Sequence, residues 1–539
     1  MSKLSGFVGR RSVAVPLFFG FFLLIGLLTY QDYGVSFDEG TSRDNGMVSL
    51  KHVANRFAPA FVAQDHTFDE IADLATYVDR DYGVAFEMPA QLMERLLHLD
   101  DPSDFFRFRH LLTFLACFGG VVAFYQLGTR RFSDWRLGLL GACWLVLSPR
   151  LFAESFYNDK DAVFMAFFAI ATNTGVRFLL RPTFGRALWH ALACAVAIDV
   201  RIMGVVLPII TVSFLVVRAL QGDLRLRAAV PALGVYLLVT VGLVVVLWPY
   251  LWPAPWANFV QAFNNMKSFR WGGEVLYQGQ LMVASLLPWH YAPVWLAITT
   301  PLLYLGCFVL GALKIFRQLL RRHWRLWRGE KEMQDVLFLA LAVAPVLAVI
   351  VLHSVVYDGW RQLYFIYPSL LLVALSGWQL AWQWHPTFLP AKRWSTLVLL
   401  LTGVSMGYIV FRMVRAHPYQ NVYFNALAGK DIEHRFEVDY WGLSYQQGLE
   451  YILATDKRPR IKVIEPTWQG LELSVLMLPP AERARISIAP TEAEAEYFIT
   501  NYRWHPQPYS EGFEIKQLEA DGLRLHSIFW LVKGWQPTK

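Results

Sequence analysis

Cysteine is scarce. Only Cys117, Cys143, Cys194 and Cys307 are present, each inside an apolar run. They read as small core residues, and their spacing offers neither a disulfide framework nor a metal-binding set. Charge is also thin, at 17% of residues. There is no internal repeat, no low-complexity segment and no exposed soluble basic domain. A nucleic-acid role is therefore excluded, despite a formal net charge of +7. The first apolar stretch has Arg10 and Arg11 before it, as a signal peptide would, but no A-x-A-like cleavage site follows. It is long for such a segment and reads as a retained anchor.

What is abundant is apolar surface: 55% of the 539 residues are hydrophobic and 15% aromatic. About eleven windows are candidate spans, near 13–30, 109–127, 137–149, 162–180, 187–198, 203–217, 228–249, 294–313, 335–353, 362–383 and 395–413. A crossing helix needs roughly 20 apolar residues, so 137–149 and 187–198 are short. Arg10-Arg11, Arg130-Arg131-Arg136, Arg181-Arg186, Arg218-Arg225-Arg227, the Lys314–Lys331 stretch and Lys392-Arg393 fall in alternate loops. By the positive-inside rule these loops are cytoplasmic. The expected protein is a polytopic α-helical membrane protein of the cell inner membrane with a cytoplasmic N-terminus.

The other loops are large. The segment 31–107 is acidic and leads into Phe86-Glu-Met-Pro-Ala-Gln-Leu-Met-Glu-Arg-Leu-Leu-His98, where Phe86, Leu92, Leu96 and Leu97 recur at helical spacing opposite Glu94 and Arg95. That pattern suits a helix lying on the membrane surface and equally a packed helix of a small outer domain. The segment 250–293 opens with the aromatics of an interfacial belt. It continues through a polar, Gly-containing stretch, Asn264–Gly279, expected as a flexible loop. After Arg415 the composition becomes that of a soluble domain. Strands are expected at 460–464, 484–488, 495–500 and in a hairpin turning at Ala520-Asp521-Gly522, and helices at 443–453 and 490–495. The organisation is a membrane part, 1–414, followed by an extracytoplasmic α/β domain, 415–539.

Four polar groups lie at the outer ends of these spans: Asp38-Glu39; Ser148-Pro-Arg150 with Asn158-Asp159-Lys160-Asp161; Asp199-Val-Arg201; and Tyr357-Asp-Gly-Trp-Arg361-Gln-Leu-Tyr364. Deep in lipid such charges cost on the order of 2.5–3.5 kcal/mol each. Taken singly, Arg109, Arg150, Arg201 and Arg361 also suit headgroup anchors, Asp159 or Asp161 suits a helix cap, and Asp199 and Arg201 suit a structural pair. Anchors alone would not gather both signs at one face. Carboxylates with Arg and Lys at one face suit a phosphate-bearing lipid and an acceptor.

An acidic residue directly after the first span, a large outer loop with a surface helix, Phe106-Arg-Phe-Arg109-His at the second span, charged outer loops, an Arg-aromatic-Pro segment and a C-terminal outer domain form a pattern. It resembles the membrane glycosyltransferases of the GT-C fold, in the family 39-like branch of protein O-mannosyltransferases and aminoarabinose transferases. The stretches Ser148–Asp161, His417-Pro-Tyr-Gln-Asn-Val-Tyr-Phe-Asn425 and Asp439-Tyr-Trp-Gly442 look like those of bacterial members. The acidic 31–107 loop is longer than that pattern and leaves the acceptor class open.

The resemblance implies a polyprenyl-phosphate sugar as donor. It also implies Asp38 as the base, Glu39 assisting it or holding a metal, and a single inverting displacement. Arg109, Arg150, Lys160, Arg201 and Arg361 are the candidates for the donor phosphate; Asp159, Asp161 and Tyr364 complete the expected site. A lipid phosphate is a good leaving group, so cations suffice to stabilise it, while the acceptor hydroxyl needs a base. The acceptor is a protein, lipid or glycan. No organic cofactor is expected, and metal dependence is left open because it differs among GT-C branches. The competing reading is a transporter or flippase of lipid-linked sugars, which predicts repeated halves and charges near the bilayer midplane.

Overall fold

The structure, a computed structural model, describes residues 10–267, 271–321, 325–466, 470–510 and 512–531. The apolar windows form helices α1 Arg11–Thr29, α4 Pro102–Phe132, α5 Trp135–Val146, α7 Asp161–Leu180, α8 Phe184–Val200, α9 Val206–Leu220, α10 Leu226–Leu247, α12 Tyr291–Thr299, α13 Leu302–Leu320, α14 Glu330–Val351, α15 Tyr367–Gln383 and α16 Ala391–Ala416. Between them lie α2 Phe37–Phe57, α3 Glu87–Leu96, α6 Pro149–Tyr157 and α11 Pro255–Lys267, with α17 Ser444–Thr455 beyond. Among the described residues nine helices are long and apolar enough to cross a membrane, or ten if the pair α5–α6, bent by 69°, is one span. The bend falls at Leu147-Ser148-Pro149. Proline there suits the first turn of α6 but donates nothing to the turn before it. The short window 187–198 is the 17-residue helix α8.

Helices α13 and α15 approach backbone to backbone at Gly311 and Gly377. A Cβ on Gly311 would stand 2.0 Å from the Val373 carbonyl oxygen, and one on Gly377 1.9 Å from that of Cys307. Small residues permit such close helix contact in a membrane. This contact fixes α15, whose preceding 3-10 turn begins at Arg361.

Between α2 and α4, α3 is inverted for a water-facing helix. Its leucines, Leu92 and Leu96, are exposed with Met93 and Leu97, while Glu87, Gln91 and Glu94 are buried. The segment 264–283 is more ordered than its composition suggests. It continues α11 to Lys267 and returns as a hairpin, β1 Glu274–Tyr277 with β2 Gln280–Val283; its residues 268–270 lie outside those described, as do 322–324 of the basic stretch.

The C-terminal part carries a five-stranded sheet in the order β4-β3-β5-β7-β6. Strands β3 Ile461–Ile464, β4 Ile486–Ile488 and β5 Tyr497–Thr500 are parallel, and β5 pairs antiparallel with β7 of the hairpin β6 Phe513–Ala520, β7 Leu523–Trp530. The hairpin turns at Asp521-Gly522, both at positive φ. The helix expected at 490–495 is a turn instead. With Pro490 before it, this six-residue stretch only bridges β4 to β5, and short helices form at Leu471–Leu476 and Pro480–Arg483.

Candidate active site

Helix α2 starts at Ser36-Phe37-Asp38-Glu39. The Ser36 amide donates to Glu39 Oε1 at 2.7 Å, as in a capping box. Glu39 Oε2 lies 2.9 Å from His110 Nε2. Glu39 is thus buried in the helix start and stands in contact with α4, which differs from its expected role beside the base or on a metal. The reason is positional: Glu39 sits three residues after the cap, where its side chain turns back, and Asp38 points the other way.

Asp38 is 26% exposed and its Oδ2 accepts from Arg361 Nη1 at 2.7 Å. The same nitrogen is 3.3 Å from Asp161 Oδ2, and Arg361 Nη2 is 3.3 Å from Asp358 Oδ2. Arg361 therefore joins three carboxylates from separate parts of the chain. The Tyr357 and Trp441 rings flank its guanidinium at 4.9 and 4.8 Å. Burial pushes the Asp38 carboxyl up, but the Arg361, Lys160 and Arg201 cations outweigh it and hold the group below its ordinary value. Asp38 is thus ionised at neutral pH and partly open to solvent.

Two more cations stand at the rim. Arg201 Nη1 pairs with Asp161 Oδ1 at 2.9 Å and the side chain is 19% exposed. The Lys160 ammonium sits 4.3 Å over the Tyr82 ring. Among the described residues Lys160 has no ion-pair partner. Tyr82 is brought there because the 82–84 backbone docks on the end of α8: the Val84 amide donates to Asp199 Oδ1 at 2.9 Å. A Cβ at position 83 would stand 1.5 Å from the Asp199 carbonyl oxygen, so Gly83 is required. Asp199 is thereby occupied, and Arg201 pairs with Asp161 rather than with Asp199.

One further guanidinium arrives from the C-terminal part. Arg503 Nη2 is 3.1 Å from Asp358 Oδ1, and its guanidinium lies 4.7 Å over the ring of Phe37, the neighbour of Asp38. The Phe37 amide donates to the Trp441 carbonyl at 3.4 Å. Asp38, Asp161 and Asp358 thus meet Arg361, Arg201, Arg503 and Lys160, which leaves one cation in excess. A cluster with that excess charge is suited to an anion. No three His, Cys, Asp or Glu among the described residues are placed to hold a metal ion. The charge between the three aspartates is supplied by a guanidinium.

The remaining expected residues lie elsewhere. Arg109 is buried between Glu87 and Glu94 of α3, two carboxylates that neutralise it and remove it from the phosphate candidates. Arg150 is also taken out. It is buried among the Trp295, Phe424 and Tyr440 rings, at 5.6, 5.5 and 6.0 Å, and none of its nitrogens meets a hydrogen-bond acceptor. Tyr364 and Tyr440 donate to Glu154 Oε1 at 2.7 and 3.1 Å beside it. Asp159 accepts from Ser42 at 2.9 Å. Burial, and then Glu87 and Glu39, raise it well above the ordinary carboxylate range. Of the ten expected residues, Asp38, Asp161, Lys160, Arg201 and Arg361 are brought together. Asp358 and Trp441 stood in stretches already singled out. Arg503, in the loop Asn501-Tyr-Arg-Trp504, carried no sequence signal.

No family model matches the chain, and no curated protein matches it. Solved structures similar to it include two of one protein. One is ArnT from Cupriavidus metallidurans bound to undecaprenyl phosphate, 14% identical with a TM-score of 0.46, covering 97% of this chain and 99% of that chain. The other is ArnT from the same organism in the apo state, 13% identical with a TM-score of 0.47, covering 96% and 98%.

Proposed function

We propose that the chain is an inverting glycosyltransferase that moves a sugar from a polyprenyl-phosphate donor to an acceptor hydroxyl on the extracytoplasmic face of the inner membrane. The observation that carries this reading is the ion cluster in which a partly exposed carboxylate, Asp38, is held ionised by Arg361 beside two rim cations, Arg201 and Lys160. Asp38 takes the proton of the acceptor hydroxyl. The acceptor oxygen forms a bond to the anomeric carbon from the face opposite the phosphate, and the bond from that carbon to the phosphate oxygen breaks. The electron pair leaves with the lipid phosphate, where Arg201 and Lys160 stabilise the added charge. Residues 1–414 perform this step with Arg503 lent by 415–539, and the N-terminus is cytoplasmic.

The test uses the purified full chain in nanodiscs with undecaprenyl phosphate as probe. Lys160→Gln with Arg201→Gln is expected to weaken its binding by roughly tenfold or more, as lost charge-assisted contacts do. Unchanged affinity in the folded double variant removes the donor site from this cluster.

A further inference from the structure

At the end of α7 away from Asp161, three arginines from three helices converge. Arg177 lies about 24 Å along the helix from Asp161, at 1.5 Å per residue. Helix α7 packs against both α4 and α8, which supply Arg130 and Arg186. One chain of hydrogen bonds ties the three together. Arg130 Nη1 donates to Asn173 Oδ1 at 2.8 Å, and Asn173 Nδ2 donates to Gln126 Oε1 at 2.8 Å. Arg177 Nη2 donates to the same Gln126 oxygen at 2.7 Å. Arg186 Nη1 donates to the Arg177 carbonyl at 3.0 Å and to the Arg181 carbonyl at 3.3 Å. Every acceptor is a neutral amide or a peptide carbonyl. Among the described residues none of the three has a carboxylate partner, and the charges that bear on Arg130 are those of Arg177 and Arg186. The contrast is next door, where Arg131 is paired with Asp335. Arginines are expected at this end of the helices, but free to spread into water. Here they are held side by side, which costs energy that an anion between them recovers.

We propose that this cluster holds the phosphate of an anionic phospholipid in the leaflet opposite the Asp38 cluster. Neither the transferase reading nor the orientation of the chain enters. The charges can be reached: Arg177 is exposed, Arg130 and Arg186 are half-buried, and the nitrogens that these two do not spend on the bonds above keep accessible surface. Guanidinium forks match phosphate oxygens. A soluble anion would need only the charge, whereas the surroundings suit a lipid. On α8 the side chains of Phe184, Leu188 and Trp189 are exposed on either side of Arg186 in sequence. On α4 the stripe that carries Gln126 and Arg130 runs back at helical spacing through Val122 and Gly119 to the exposed Leu115. Ile170 of α7 lies beside it, 3.9 Å from where a Cβ on Gly119 would stand. The surface is thus apolar along the helices and cationic at their end, the order of a lipid tail and its headgroup. Basic pockets between membrane helices bind such headgroups. The cluster also selects among them. A zwitterionic headgroup brings its own ammonium, and no carboxylate of the cluster is there to receive it.

The test is native mass spectrometry of the purified full chain titrated with phosphatidylglycerol, beside phosphatidylethanolamine as the zwitterionic control. Phosphatidylglycerol is expected to bind about fivefold more tightly or better. Arg130→Gln and Arg177→Gln are each expected to weaken it by about fivefold, the share of one arginine near a charged membrane surface. Where one of these does not fold, Arg186→Gln, whose side-chain bonds go only to backbone carbonyls, takes its place with a loss in the same direction. Arg393→Gln removes an exposed charge at the start of α16, outside the cluster, and is expected to leave the affinity unchanged. Glycerol 3-phosphate, which carries the phosphate without the tails, is expected not to displace the lipid at about tenfold excess. Equal binding of the two lipids overturns the proposal, as does wild-type affinity in the folded cluster variants. Equal loss in Arg393→Gln reduces the effect to the overall charge of that face, and displacement by glycerol 3-phosphate makes the occupant a soluble anion; either result also overturns it.

Discussion

On the mechanism proposed above, Asp38→Asn removes the base while keeping its shape, and the two halves of its expected effect differ. Turnover falls. Loss of a general base costs about 10²–10⁴-fold, or ~2.7–5.5 kcal/mol on the barrier. Donor binding does not fall. Asp38 is one of three carboxylates around Arg361, and Asp161 and Asp358 still hold that guanidinium at 3.3 Å each. Taking one negative charge from the groove raises its positive excess, so undecaprenyl phosphate binds as tightly as before or more tightly. Stability changes little, by about 1 kcal/mol, because the Asp38 side of the pair is partly solvated. The assay is sugar transfer by purified wild type and variant in nanodiscs, beside lipid-phosphate affinity and melting temperature on the same samples. Wild-type turnover in Asp38→Asn refutes the assignment. So does a parallel loss of turnover and donor binding, which would make Asp38 part of the binding frame.

Arg361→Ala leaves Asp161 and Asp358 with one guanidinium each, Arg201 and Arg503, and is expected to cost about 1–3 kcal/mol of stability, seen as a drop in melting temperature. Arg361→Lys keeps the charge but not the two nitrogens that reach separate carboxylates; turnover should fall further than stability, and equal retention of both would argue against the fork. Because the folded Asp38 carboxyl titrates below its ordinary value, the acid limb of the rate profile should persist through the ordinary carboxylate range and be lost only as pH drops through the depressed value; a limb near the ordinary value would contradict the Asp38–Arg361 pair. Glu437 is raised to about 8 in the folded state, so its contribution to stability is present at pH below the ordinary glutamate value and is lost as pH rises from there toward 8. Melting curves across that window should flatten in Glu437→Gln. A reporter fused after Thr500 should be active in the periplasm, and cytoplasmic activity would overturn the orientation.

The apolar windows read from the sequence fall on helices, because lipid-facing and core-facing helices both demand long apolar runs, but 294–313 is broken at Thr300-Pro301 and 362–383 opens in a 3-10 turn, so about eleven expected spans become nine or ten among the described residues. The strands at 461–464 and 497–500 and the Asp521-Gly522 hairpin were equally plain, from β-branched and aromatic residues bounded by turn formers. Asp38 and Arg361 could be singled out in the sequence because charges at span ends are few, and the structure pairs them. What failed to show was pairing. Arg109 and Arg361 look alike in sequence, yet one is neutralised by Glu87 and Glu94 of a helix whose polar face turns inward, and the other gathers three aspartates. Glu39 and Asp38 are neighbours, and only the backbone turn at Ser36 decides which faces Arg361. Arg503 arrives from a loop 142 positions beyond Arg361, a distance at which no local pattern operates.

The ionic centre draws its members from positions 38, 161, 201, 358, 361 and 503, so its parts leave the ribosome at widely separated times. When the front of the chain has been threaded into the bilayer, Asp38 and Asp161 have only Arg201 and Lys160 for company, and the guanidinium that joins them does not yet exist. Asp358 then arrives beside Arg361 but waits for Arg503, which is made 142 positions after Arg361. The network therefore closes only once residue 503 is made: a chain truncated before it carries every helix from Arg11 to Ala416, yet leaves Asp358 without its second guanidinium.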